Sequence, residues 1–244
     1  MPYKLISVVM APLLLTQGYL VRKNALKLPE AKGSRTGVAG SGDKKLRLLI
    51  LGDSAAAGVG VASQSQALSG QILRHLTREF YIDWQLIAAS GASTDSIISV
   101  LEKLPEKMFD VAVISLGVND VSANMSMKRC QYYHRRLITL LKKKFAVECI
   151  IFSSLPPVHL VPALPQPLRW YLGGRAKRLN NQLCQWLGKQ KGCLILKARE
   201  NIESELMAED GFHPGEKYYA WWGRQAAGLI QEYMTGKTAT ADTN

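Results

Sequence analysis

The chain has 244 residues, 47% hydrophobic and 20% charged, with a formal net charge of +12 and a pI near 9.6. That length and apolar content suit one globular domain with a core large enough to need neither disulfide nor metal staples. The basic residues are scattered over 128–129, 135–136, 142–144 and 175–178 without interleaved aromatics, so a nucleic-acid role is not expected and an anionic membrane surface ranks ahead of it. Cys130, Cys149, Cys184 and Cys193 show neither C-x-x-C spacing nor a Cys/His cluster, which argues against structural zinc.

Residues 1–20 are mostly apolar, but Pro12 breaks the run and Gly18 follows it. A spanning helix needs about 20 predominantly apolar residues, and no A-x-A-like cleavage site marks an export signal. Arg22, Lys23, Lys27, Lys32 and Arg35 come next, an excess of positive charge that holds the following chain on the cytoplasmic side. The expectation is a marginal anchor or interfacial segment on the inner face of a membrane, with export to the periplasm as the competing reading. Residues 30–45, rich in Gly, Ser and Lys, read as a linker, so that 1–45 precede a folded domain over 46–235 and 236–244 form a disordered polar tail.

From residue 46 short apolar runs alternate with helical patterns. Strands are expected at 46–51, 84–89, 111–116, 149–152 and 193–196. Helices are expected at 64–80, 95–107 (capped by Ser93 or Thr94), 126–145, 168–190 (interrupted near Gly173-Gly174) and 215–233. The pattern implies an α/β protein with a five-stranded parallel sheet, helices on both faces and a flavodoxin-like strand order.

The residues after the strands carry the chemistry. Ser54 follows the first strand in Gly52-Asp53-Ser54, Gly91 follows the second and Asn119 the third, all on the carboxyl edge where open α/β sheets gather their sites. Asp210-Gly211-Phe212-His213-Pro214 precedes the last helix, and three residues apart in a turn a carboxylate and an imidazole can bond directly. A serine hydroxyl is a poor nucleophile until a base takes its proton, a task for His213, with Asp210 fixing the imidazole. The N–H groups of Ser54 and Gly91 and the Asn119 side-chain amide are candidates for an oxyanion hole. Taken singly, Ser54 reads equally as a turn cap and Asn119 as a turn residue. Asp53 and Asp120 read as turn braces, His75 and His134 as residues of solvated helix faces, and His159 as loop filler.

Together these blocks resemble the SGNH hydrolases, also called GDSL-type esterases and lipases. Gly52-Asp53-Ser54 is similar to the first block, with Ala55 where leucine is frequent; Gly91 supplies the second, Gly117-Val118-Asn119-Asp120 the third and Asp210 to His213 the last. The resemblance covers about residues 46–235. It implies a three-layer α/β/α fold and hydrolysis of esters or similar acyl groups without metal or organic cofactor, with Ser54, Asp210 and His213 as the triad. A basic surface and apolar N-terminus suit a short acyl ester or a lysophospholipid-like lipid. The alternatives are a carbohydrate O-acetyl esterase and a non-catalytic flavodoxin-like binding module, although 52–60 is poor in the glycines and hydroxyls of a phosphate loop. Residues 155–172, long and apolar for a connection, are expected to form an acyl-binding wall or lid through Leu160, Leu164 and Trp170.

Overall fold

The computed structural model describes residues 9–241. Its strands are β1 (Thr36–Ala39), β2 (Lys44–Gly52), β3 (Phe80–Ala88), β4 (Val111–Ser115), β5 (Cys149–Ser153) and β6 (Cys193–Leu196). The helices are α1 (Ala11–Asn24), α2 (Leu68–Leu76), α3 (Thr94–Lys103), α4 (Val118–Ser122), α5 (Met127–Lys144), α6 (Leu168–Leu187) and α7 (Glu216–Ala241). The sheet runs β1-β3-β2-β4-β5-β6. Every pairing is parallel except that of β1 with β3. Without β1 the order of the parallel strands is the flavodoxin-like one.

The sequence of β2 explains why it lies at the centre. Leu49 and Leu51 point into the core beneath α3, α5 and α6, while Leu46, Leu48 and Ile50 point into the core beneath α2 and α7. All five are buried. A side chain of this size contributes roughly 1.5–3 kcal/mol on full burial, and filling both faces leaves the strand one register. The end of β2 is therefore a rigid place from which to project a residue.

Several expectations change. The sheet has six strands rather than five, because 36–39 of the expected linker add an antiparallel edge strand to β3. Four residues with one glycine carry no readable periodicity; the partner supplies the order. Arg35 helps by donating to the Ala88 carbonyl at 2.8 Å and pairing with Glu30. The helix expected from residue 64 begins at Leu68. The amide of Gln64 is buried and donates to the carbonyls of Ala31 and Ala57, so that residue ties the incoming chain to the turn after β2 instead of entering a helix. Helix α7 runs on to Ala241, through most of the expected tail; residues 242–244 lie outside the described residues, as do 1–8 of the apolar N-terminal segment. His134 is buried rather than solvated, with Nδ1 2.9 Å from the Cys130 carbonyl and its ring tilted against Phe152. Cys130, Cys149 and Cys193 are buried and form no disulfide among the described residues.

Helix α6 is not interrupted at Gly173. The glycine lets the short turn Val158–Leu160 close onto the helix: a methyl there would lie 2.5 Å from His159 Cβ and 2.8 Å from its Cα. Gly173→Ala should destabilise the fold by about 1–3 kcal/mol, because overpacking outweighs the helix propensity gain of about 1 kcal/mol. Urea denaturation monitored by circular dichroism measures the difference.

Candidate active site

The turn after β2 is built to hold one serine. Gly52 presses against β4, where a methyl would lie 2.7 Å from the Ser115 carbonyl oxygen and 2.3 Å from Ala56 Cβ. Asp53 N–H donates to that same carbonyl at 3.1 Å, Ala57 N–H to Asp53 and Val59 N–H to Ser54. The hydroxyl of buried Tyr219, from α7, sits 2.9 Å from the Ala55 carbonyl oxygen and 2.8 Å from that of Val59, closing the turn from behind. Asp53 accepts from Ala55 N–H at 3.1 Å, so it braces the turn.

Across the sheet edge, Asp210 organises its own loop. Its Oδ1 accepts from the N–H groups of Phe212 and His213, each at 2.9 Å, and Oδ2 lies 2.5 Å from His213 Nδ1. His213 Nε2 is 2.9 Å from Ser54 Oγ. Because a carboxylate only accepts, neutral His213 donates from Nδ1, leaving Nε2 to accept the serine proton. Burial pushes the Asp210 carboxyl up, but the hydrogen bonds from His213 and the two amides outweigh it and hold the group below its ordinary value. It is thus an anion where an imidazolium would form. Ser54 from the first block and Asp210 and His213 from the last form one hydrogen-bonded row.

Of the remaining candidates, Asn119 lines the same apolar cavity as Ser54 and His213, and Gly91 does not. Gly91, at φ +78°, turns the chain between β3 and α3 with nothing within 4 Å of where its side chain would begin. Asn119 donates one amide hydrogen to the Ala92 carbonyl at 2.9 Å, which leaves the other for a substrate oxygen. Among the described residues no backbone carbonyl engages the N–H of Ser54 or Gly91. Asp120 is buried and accepts from the Thr94 hydroxyl at 2.6 Å, bracing α4 against α3 so that Gly91 and Asn119 stay in register. Ser93, not Thr94, caps α3.

A cavity of about 100 Å³ opens beside Ser54, Asn119 and His213. Its walls are mostly apolar, with Leu155, Val158, Val161, Ile202, Met207 and Phe212 prominent. The loop 155–172 does supply a wall, but not through the expected residues. Leu164 is buried away from this cavity, Trp170 is exposed on α6, and neither they nor Leu160 line it. His159 is exposed, backing onto Gly173. The sequence does not single out Tyr219, because adjacent Tyr218 and Tyr219 in an apolar helix give no signal of which one faces the turn after β2. Among the described residues no group of three or more His, Cys, Asp or Glu is placed to hold a metal ion.

Burial pushes the Asp53 carboxyl up to about 7 against the hydrogen bond from Ala55, with the Asp120 charge adding to the rise. A carboxyl whose folded value exceeds its ordinary 3.8 holds a proton in the folded state only, so stability falls as pH rises from 3.8 to about 7. Asp53→Asn keeps the acceptor and removes the charge. Relative to the parent, its thermal midpoint should rise progressively across that interval and level off above it, as measured by differential scanning fluorimetry.

Residues 50–221 match the GDSL-like Lipase/Acylhydrolase family. A GDSL-like esterase of Mycobacterium tuberculosis is 26% identical over 187 residues, which are 72% of this chain and 58% of that protein; the chain thus spans under two thirds of its length. A member of the lipolytic G-D-S-L family from Veillonella parvula superposes with a TM-score of 0.57 at 13% identity, covering 76% of this chain and 98% of the other. Est24, a carbohydrate acetylesterase from Sinorhizobium meliloti, gives 0.55 at 15%, covering 77% and 99%. At those identities the two structures speak for the fold alone. With its sheet order, its turn after β2 and a family match over most of its length, the chain belongs to the GDSL-like lipase and acylhydrolase family.

Proposed function

We propose that the protein is a serine ester hydrolase, with Ser54 as nucleophile, His213 as base and then acid, and Asp210 orienting the imidazole. The observation that carries this reading is the unbroken row Asp210–His213–Ser54 opening onto an apolar cavity. Ser54 Oγ attacks the ester carbonyl carbon as its proton passes to His213 Nε2. The carbonyl oxygen takes up charge against the N–H groups of Ser54 and Gly91 and the amide of Asn119. Collapse expels the alcohol, protonated by His213, and leaves an acyl group on Ser54. Water, deprotonated by the same nitrogen, then releases the acid and restores the hydroxyl.

The cavity favours a small acyl group. Whole ligands occupy pockets of about 300–1,000 Å³, whereas this cavity is about 100 Å³. A short acyl ester fits this size. Carbohydrate O-acetyl hydrolysis is the second reading, since an acetyl group fits the same space. Against p-nitrophenyl butyrate, Ser54→Ala and His213→Ala should each lower kcat by about 10³-fold or more, and Asn119→Ala by about 100- to 1,000-fold. Turnover persisting in Ser54→Ala would refute the assignment.

The reading extends to location. Among the described residues no helix is long and apolar enough to cross a membrane. Helix α1, about 21 Å long at 1.5 Å per residue, exposes Leu13, Leu15, Tyr19 and Leu20 and ends in Arg22 and Lys23. Those features support a helix lying in the interface of an anionic membrane on its cytoplasmic face. Leu15→Glu with Tyr19→Glu should cut sedimentation with phosphatidylglycerol vesicles several-fold while leaving hydrolysis of a soluble ester intact.

A further inference from the structure

A second concavity reaches the same histidine from the other side. It is a groove of about 500 Å³ between the C-terminal part of α1 and the loop before α6, bordered by Leu20, Ala25, Leu26, Pro162 and Arg169 and ending at Phe212 and His213. Phe212 and His213 border both spaces, whereas Ser54 and Asn119 border only the smaller cavity. The acyl carbon must meet Ser54 with its oxygen at Asn119, so the acyl chain belongs in the small cavity. The leaving oxygen must meet His213 to receive its proton, so the alcohol belongs on the side that touches His213 without Ser54.

The groove carries one cation. Arg169 is held at its wall by Nε–H donating to the Leu164 carbonyl at 2.6 Å and Nη2–H donating to that of Pro162 at 3.3 Å. Both acceptors are neutral, and among the described residues no carboxylate forms an ion pair with Arg169. Asp210 also lines the groove, but its carboxylate is largely buried and takes up three hydrogen bonds, from His213 Nδ1 and two amides. A fixed guanidinium of this kind suits phosphate oxygens.

We propose that this groove is the leaving-group subsite, that α1 forms its outer wall, and that Arg169 selects esters whose alcohol carries an anionic group such as a phosphate. This inference rests on the ester-hydrolase reading and adds the class of alcohol. It also gives α1, which lies outside the family match, a role in specificity.

The test uses three butyryl esters with the full chain: ethyl butyrate, 1-butyrylglycerol and 1-butyrylglycerol 3-phosphate. The parent should prefer the phosphate ester over the neutral glycerol ester by at least tenfold in kcat/KM. Arg169→Gln should bring that ratio close to one, and Arg169→Lys should restore part of it, which a merely structural loss would not do. Ala25→Trp, on an exposed position of the groove wall, should lower kcat/KM for both glycerol esters relative to ethyl butyrate by tenfold or more. A parent that shows no preference, or variants that lower all three substrates in proportion, would overturn the subsite assignment while ester hydrolysis stands. A parent that cleaves none of the three would overturn the hydrolase reading and the subsite with it.

Discussion

The hydrogen bond between His213 Nε2 and Ser54 Oγ joins residues 159 positions apart, and most of the molecule serves to hold its two ends. One end is fixed by β2, packed into both cores, and by a turn that is pressed against β4 at Gly52 and closed by Tyr219. The other end is fixed locally. Asp210 takes three hydrogen bonds from its own loop, so the imidazole is aimed by a tight turn rather than by distant packing. Helix α7 serves both sides, starting just after His213 and placing the Tyr219 hydroxyl behind the turn that carries Ser54.

Electrostatics follow from the same arrangement. Asp210 remains charged despite burial because its acceptors are filled, which lets it stabilise an imidazolium. Asp53, one residue before Ser54, has less to offset its burial, and its carboxyl is driven towards the proton-bearing form. Two carboxyls near one serine are thereby pushed in opposite directions, and only one is left as a firm anion at neutral pH. Asp120 spends its acceptors on Thr94 and so works on geometry, keeping the third-block asparagine beside the second-block glycine.

The sequence was legible where local chemistry determines structure. Buried parallel strands announce themselves as short apolar runs, and residues at their carboxyl ends share one edge whatever the details of packing. This is why Ser54, Gly91 and Asn119 could be named together, while the Asp210–His213 pair is read from its own three-residue spacing. It was illegible where a distant partner decides. Thr36–Ala39 becomes a strand only because β3 offers an edge, and Gln64 leaves a helical pattern because two carbonyls 33 and 7 residues away need its amide. His134 stands beside Arg135 and Arg136, which suggest a solvated face, yet it falls on the buried stripe of Cys130, Leu137 and Leu141, with its ring against Phe152. The loop 155–172 lines the cavity through Leu155, Val158 and Val161 rather than Leu160, Leu164 and Trp170, since a proline-rich segment gives no periodicity from which facing can be read. The groove beneath α1 belongs to the same class, as it exists only once α1 docks beside the loop before α6.

The most direct test of the central claim is to treat the full-length protein with a fluorophosphonate and map the adduct by mass spectrometry, with His213→Ala alongside. The account predicts one modified residue, Ser54, in the parent and labelling slowed by orders of magnitude in the variant. A parent that is folded yet unlabelled, or an adduct mapped to any other residue, would contradict it.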